Sequence, residues 1–167
     1  IEHADLTGTD FVDVLDASAF TLGSVALANG RGADTLRGTS FADRFTIDVT
    51  GLVSGTDHVT VKPGGGLGDR VVIAGLTGVH QSDLDWITWD GAAAELELTD
   101  GQIAEDINTS GRNIKITATA INLNGHTIDS GLGNLAGNIT LSARHIVVDN
   151  GARILAKAIN AGGTDGA

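Results

Sequence analysis

The last third of the chain contains an internal repeat. Residues 113–118 read N-I-K-I-T-A, residues 138–143 read N-I-T-L-S-A, and the apolar residues that follow them recur at the same offset. Ile128 then returns as Ile154, one position later than this offset gives, so one residue has been inserted. A period in the twenties is the length of one coil of a β-solenoid. The repeat therefore predicts coils whose Ile, Leu and Val side chains stack on one another inside.

Apolar and polar residues alternate at period two through much of the chain, and helical periodicity is almost absent. Such alternation predicts short strands with one buried face. The clearest segments are residues 45–49, 59–61, 94–98, 114–118 and 121–123. The best helical candidate is a single turn at residues 81–85, with Ser82 as its N-cap. We therefore expect an all-β chain folded as a parallel β-solenoid, a β-helix or β-roll, with about 20–26 residues per coil.

A Gly-rich nonapeptide at residues 29–37, N-G-R-G-A-D-T-L-R, predicts a metal-binding turn. It matches the calcium-binding pattern G-G-x-G-x-D-x-U-x, where U is apolar, except that Asn stands at the first position. Gly and Asn both tolerate positive φ, so the turn survives this exchange. The Asp34 carboxylate and the turn carbonyl groups are oxygen ligands of the kind that Ca²⁺ takes.

Related sequence frames lie on either side of this nonapeptide. Residues 8–15 and 38–45 share the frame G-T-x-F-x-D-x-U, and residues 64–71 form a weaker copy. Asp43 and Asp69, the aspartates of the last two frames, are separated by roughly one coil length. The sequence leaves a second interpretation open, in which Asp34 and Asp43 are turn residues whose carboxylates accept backbone N–H groups.

On these motifs, residues 8–73 resemble the RTX, or haemolysin-type calcium-binding, repeat region of large secreted bacterial proteins. Residues 113–156 are similar to the β-helical repeats of filamentous-haemagglutinin-like adhesins. The RTX resemblance implies a β-roll or β-helix that binds Ca²⁺, folds outside the cell and leaves a Gram-negative bacterium by type I secretion. The metal site that this resemblance implies consists of Gly30, Gly32, Asp34 and Asp43.

The chain departs from a regular RTX repeat in ways that limit the expected number of ions. A β-roll binds calcium between stacked turns and needs several consecutive nonapeptides, whereas this chain has one good copy. In residues 8–15 and 38–45, Phe replaces the glycine two positions before the aspartate, and in residues 64–71 the glycines are shifted by one position. The resemblance therefore predicts one ion at Asp34 or none.

Composition and charge exclude several other classes of protein. The chain has 21 Asp and Glu residues against 10 Lys and Arg residues, a formal net charge of −11, so we expect neither nucleic acid nor anionic lipid as a partner. No apolar run approaches the roughly 20 residues that span a bilayer, so we expect no membrane insertion. The absence of Cys excludes disulfides and thiolate metal sites. From the resemblance we expect a secreted, extracellular or cell-surface protein.

A change in sequence character near residue 90 suggests two parts. Residues 1–90 form a half with RTX-like calcium repeats, and residues 91–167 form cleaner β-helix coils. We expect the two halves to be continuous, and the whole to be a piece of a longer chain.

Two acidic pairs, Asp83 with Asp85 and Glu95 with Glu97, raise the question of a paired-carboxylate glycosidase. Glu95 and Glu97 alternate with Leu residues, which is typical of a solvated strand face. The five His residues show no metal-binding or catalytic spacing. We therefore expect no enzymatic activity, with a polysaccharide-active β-helix enzyme as the alternative.

These observations favour a structural or adhesive segment of a large bacterial surface protein. Open strand edges at the ends of a solenoid predict self-association through those ends or edges. A glycan or another cell-surface receptor is a second expected class of partner. Trp86 and Trp89 are the candidate glycan platform, although the simpler interpretation is that they plug or cap a coil.

Overall fold

The computed structural model describes residues 2–53, 56–89, 94–132 and 135–156. Within these ranges the chain winds into a parallel β-solenoid of about six turns with one short helix, so the predicted fold class is confirmed. The helix is α1 (Gln81–Asp85). In chain order the strands are β1 (Ala4–Thr7), β2 (Val14–Asp16), β3 (Val25–Ala28), β4 (Ala33–Arg37), β5 (Arg44–Asp48), β6 (His58–Lys62), β7 (Arg70–Ala74), β8 (Ile87–Trp89), β9 (Glu95–Leu98), β10 (Ile107–Asn108), β11 (Ile114–Thr117), β12 (Ala120–Asn122), β13 (Thr127–Asp129), β14 (Gly131–Leu132), β15 (Leu135–Ala136), β16 (Ile139–Ser142), β17 (His145–Val147) and β18 (Arg153–Leu155).

Strands from successive coils pair in parallel along the solenoid. The largest sheet has seven strands in the order β1-β3-β5-β7-β9-β11-β16, and a second sheet has the order β2-β4-β6-β8. Two smaller parallel sheets, β10-β13-β18 and β12-β17, form further faces of the C-terminal coils. Each sheet takes one strand from each coil that reaches it, which is how a solenoid satisfies its backbone groups.

The register of the last coils confirms the sequence repeat. β11 pairs with β16 and β12 pairs with β17 at the same sequence offset, whereas β13 pairs with β18 one position later. The inserted residue therefore lies between the second and third strands of the coil, as predicted. The pairs are Ile114 with Ile139, Ile121 with Ile146, and Ile128 with Ile154. The intervening turn has a left-handed backbone in both copies, with φ of 49° at Asn124 and 50° at Asn150. Asn tolerates this conformation better than most residues.

A single hydrophobic core runs along the inside of the solenoid. Alternate residues of each strand point inward, so they form continuous rows of Val, Ile, Leu and Phe. The largest fully buried side chains are Leu27, Leu36, Phe45, Ile47, Ile73, Leu98, Ile103, Ile107, Ile114, Ile116, Ile121 and Leu123. β7 pairs with β9 across the expected boundary near residue 90, so the seven-stranded sheet continues through it.

The coils vary in length more than the sequence predicts. The number of residues that separates paired positions in successive coils is small where Ala26 pairs with Arg44, and much larger where Val59 pairs with Ile87. This long coil step accommodates α1, which packs the buried Leu84 against the core. A helical turn therefore widens the coil at this level.

Two local features differ from the sequence-based expectations. The N-cap of α1 is His80, whose backbone is extended, and Ser82 lies inside the helix, so the predicted cap is wrong. The Asp83 carboxylate reaches back to accept the His80 N–H at 2.9 Å, which fixes the start of the helix. β14 and β15 form an antiparallel hairpin between β13 and β16, which the repeat pattern did not indicate.

Candidate functional site

The predicted metal ligand Asp34 is a buried residue of β4 whose carboxylate joins two coils. Its Oδ1 accepts the backbone N–H of Asp13, one coil earlier, at 2.9 Å. Its Oδ2 accepts the N–H of Gly30, in its own turn, at 3.2 Å. The carboxylate therefore accepts hydrogen bonds from two backbone N–H groups that are not bonded within the strand ladders.

Among the described residues up to position 70, four further aspartates accept the N–H of the residue four positions earlier, an N–H from the preceding coil, or both. We call the set the corner aspartates; they are Asp13, Asp34, Asp43, Asp57 and Asp69. All but Asp69 accept the N–H of the residue four positions earlier in their own turn. All but Asp13 accept an N–H from the preceding coil. Each bond of the second kind spans 18 to 26 residues of sequence and links neighbouring coils.

The corner aspartates form two separate stacks. Asp34 lies with Asp13 and Asp57 along the sheet that contains β4. Asp43 precedes β5 in the seven-stranded sheet and stacks on Asp69, whose Oδ1 accepts the Asp43 N–H at 2.8 Å. The fold therefore places Gly30, Gly32 and Asp34 in one turn, whereas Asp43 belongs to the other stack.

The two glycines of the nonapeptide are required for backbone reasons. A Cβ on Gly30 would lie 1.5 Å from the Thr9 carbonyl oxygen, and Gly32 has a φ of +96°. Their carbonyl oxygens accept hydrogen bonds within the protein: the Gly30 oxygen from the Asn29 side chain at 2.8 Å, and the Gly32 oxygen from the His58 N–H at 3.3 Å. The proposed metal ligands of this turn are thus acceptors for protein donors.

Sequence reasoning missed the contribution of Asn29 and Thr39. Asn29, which replaces the first glycine of the motif, is buried, and its Oδ1 accepts the Asp48 N–H at 2.8 Å. The Thr39 hydroxyl donates to the Asp43 carboxylate at 3.0 Å, in addition to the Thr39 backbone N–H. The signal was present in the shared frame G-T-x-F-x-D, because its Thr lies four residues before the Asp.

Burial sets the electrostatics of these carboxylates. It raises the pKa of Asp34, although hydrogen bonds from Asp13 and Gly30 act in the opposite direction. Burial, with a smaller contribution from the neighbouring Asp43 charge, raises the pKa of Asp69 to about 6. Asp13 differs, because hydrogen bonds from the backbone and side chain of Thr9 lower its pKa. Burial therefore disfavours the charged form of Asp34 and of Asp69.

The described ranges contain no group of three or more His, Cys, Asp or Glu residues that could hold a metal ion. Calcium binding at Gly30, Gly32, Asp34 and Asp43 stays a prediction. The contacts favour the second interpretation of the sequence, in which Asp34 and Asp43 bind backbone N–H groups.

Three of the four carboxylates in the acidic pairs have other contacts. Asp83 accepts the His80 N–H, and Asp85 accepts the Gln81 side-chain amide at 3.0 Å. Glu97 lies 3.6 Å from the ammonium group of Lys115 and 3.9 Å from the guanidinium group of Arg70. These contacts match a strand face that carries ion pairs.

Comparisons with protein-family models, curated proteins and solved structures found no match for this chain. The resemblances to RTX repeats and to filamentous-haemagglutinin-like repeats therefore depend on the sequence motifs alone. Across the described residues, no helix has the length and apolar character needed to cross a membrane.

Proposed function

We propose that this chain is a structural segment of a secreted or cell-surface bacterial protein, a solenoid rod that extends by stacking further coils. The supporting observation is the exposure of inward-facing apolar residues in the last described coil. Ile121 and Ile128 are fully buried, whereas their register partners Ile146 and Ile154 are 45% and 43% exposed.

Among the described residues, no further strand pairs with the sheet edges on the same side. β16, β17 and β18 are the terminal strands of their sheets, and β1 and β2 are the terminal strands at the opposite end. An unpaired parallel edge offers backbone donors and acceptors to another strand. Covering a half-exposed Ile contributes on the order of 1 kcal/mol. The same contacts that join coils within the chain can therefore join a further coil to this end.

For the chain of 167 residues, we propose that a second copy occupies this face. The strand directions favour a head-to-tail arrangement, because β1 of one copy would continue the sheet that ends with β16 of another. Leu6 of β1 is 40% exposed, while its register partner Leu27 is buried. An interface of this kind joins two different surfaces and does not close, so it produces linear oligomers.

Sedimentation velocity at rising protein concentration tests this proposal. We expect concentration-dependent association at physiological salt, where the repulsion between copies of charge −11 is screened. Ile146→Lys places a charge in the stacking face and should abolish association. Leu67→Lys changes a residue that is 95% exposed in a lateral turn and should leave association unchanged. A wild-type chain that stays monomeric at every concentration, with its β-rich circular dichroism spectrum intact, would contradict the proposal.

The corner aspartates have a structural role in this proposal. They tie each turn to the coil before it through backbone hydrogen bonds, and the proposed rod needs no bound ion for these links. The proposed location outside the cell rests on the resemblance to secreted bacterial proteins. A non-catalytic role fits the contacts that Asp83, Asp85 and Glu97 make with neighbouring groups of the protein.

A further inference from the structure

A cleft of about 410 Å³ lies where α1 widens the solenoid, and its volume falls within the range of small-molecule sites. One wall contains Gln81 and Asp85 of α1, and the other contains Asn108 and Ser110 of the following coil. Leu84, Ile87 and Leu96 form an apolar floor. The cleft thus combines an apolar base with amide, hydroxyl and carboxylate groups at its rim.

Arg112 and Trp89 form a stacked pair in this cleft. The guanidinium carbon of Arg112 lies 4.6 Å from the centre of the Trp89 ring, which is the geometry of a cation–π contact. Nη1 of Arg112 donates to the Thr109 carbonyl oxygen at 3.3 Å. Within the ranges that the structure describes, no carboxylate forms an ion pair with Arg112. Arg112 therefore brings a positive charge to this cleft that is not neutralised by direct contact with a carboxylate of the described residues.

Arg112 is half-buried, so its guanidinium group is partly dehydrated, and this burial lowers its pKa. Arginine nevertheless stays protonated in proteins. A partly dehydrated guanidinium group with unused donors is well suited to a carboxylate, because both can form two parallel hydrogen bonds. These properties favour an anionic group on the ligand.

Hydrogen bonds hold both walls of the cleft in place. Gln81 Oε1 accepts the Asn108 N–H at 2.7 Å, and Gln81 Nε2 donates to Asp85 Oδ1 at 3.0 Å. The Thr109 hydroxyl donates to the Arg112 carbonyl oxygen at 2.8 Å and closes the turn that carries Arg112. The polar groups are therefore positioned before a ligand arrives, which reduces the entropic cost of binding.

Asp85 narrows the choice of ligand. Its exposed carboxylate only accepts hydrogen bonds, so it would repel a ligand that carries anionic groups alone. A ligand that suits the whole cleft carries one carboxylate for Arg112 and hydroxyl donors for Asp85. We propose that this cleft binds a uronic-acid saccharide, with its carboxylate on Arg112 and its hydroxyl groups on Asp85 and Asn108. This inference is independent of coil stacking and adds a binding site to the structural role.

Titration calorimetry with galacturonic acid and with its methyl ester tests the proposal on the whole chain. The ester keeps the sugar and its hydroxyl groups but lacks the charge. We expect measurable binding of the acid and binding of the ester that is about tenfold weaker or more, because a charge-assisted hydrogen bond is lost. No binding of the acid at millimolar concentration, or equal binding of acid and ester, would overturn the proposal.

Two variants assign the binding to this cleft. Arg112→Gln should weaken binding of the acid about tenfold or more, whereas Arg153→Gln, which changes an exposed arginine of the last coil, should bind like the wild type. Asn108→Asp keeps the acceptor for the Ser110 N–H but adds a negative charge at the rim, so it should also weaken binding. Wild-type affinity in both Arg112→Gln and Asn108→Asp, with unchanged circular dichroism, would place the ligand elsewhere and overturn the proposal.

Discussion

Removal of the Asp43 carboxylate is the sharpest perturbation of the links between coils. Asp43 is 2% exposed and accepts the Val25 N–H from the preceding coil at 2.9 Å. It also accepts the N–H and the hydroxyl group of Thr39 in its own turn. Asp43→Ala leaves these donors without their acceptor at a site where Val25 and Thr39 are themselves buried.

The expected loss of stability follows from those orphaned donors. A buried N–H group that loses its acceptor costs about 1–3 kcal/mol. Two such groups, offset in part by relief of repulsion between Asp43 and Asp69, give a decrease of about 2–5 kcal/mol in the free energy of unfolding. Asp43→Asn should have a smaller effect, because its amide oxygen still accepts one N–H. The loss is a large fraction of the roughly 5–15 kcal/mol that stabilises a typical domain.

Urea unfolding, followed by circular dichroism and by tryptophan fluorescence, measures this effect. Asp10→Ala is the matched control, because Asp10 is exposed and its carboxylate has no hydrogen-bond partner among the described residues. We expect the control to change the free energy of unfolding by less than about 0.5 kcal/mol. If Asp43→Ala were as stable as Asp10→Ala, the carboxylate would not link the coils and the reasoning would be wrong.

Two further predictions concern pH and backbone packing. Since the pKa of folded Asp69 is raised to about 6, the folded chain takes up this proton before the unfolded chain does, and Asp69 should make the protein more stable as pH falls from 7 towards 4. Asp69→Asn should remove this contribution in urea titrations across that pH range; an unchanged pH profile would contradict it. Gly30→Ala should destabilise the chain by several kcal/mol, since its Cβ would meet the Thr9 carbonyl oxygen, whereas Gly65→Ala, where no atom lies within 4 Å, should be nearly neutral in thermal unfolding. Equal melting temperatures for the two alanine variants would refute that account of Gly30.

The fold could be predicted where the sequence repeats itself. The offset between residues 113–118 and 138–143 sets the pairing of β11 with β16, because inward side chains must stack on equivalent positions. The hairpin of β14 and β15 could not be predicted in this way, because its short strands interrupt the repeat without an apolar pattern of their own.

The corner aspartates were visible in the sequence, but their chemistry was ambiguous. A turn that contains Gly and Asp suits both a metal ion and a set of backbone donors, and the choice depends on which N–H groups the preceding coil presents. The strand register decides which N–H groups these are. Asp34 accepts the Asp13 N–H because β2 and β4, in successive coils, pair with Val14 beside Thr35.

The contact between Trp89 and Arg112 could not be predicted from sequence patterns, for a different reason. These residues lie on successive levels of the solenoid, beside the long coil step that accommodates α1. The resulting cleft depends on the local width of the coil, which the period of the apolar residues does not encode.

Calorimetric unfolding of chelator-treated protein, with and without added Ca²⁺ and repeated with Asp34→Ala, tests most directly whether backbone hydrogen bonds hold the coils together. We expect the same melting temperature with and without Ca²⁺, and a lower one for Asp34→Ala under both conditions. A melting temperature that rises strongly with Ca²⁺ in the wild type, but not in Asp34→Ala, would contradict this and establish a calcium site at Asp34.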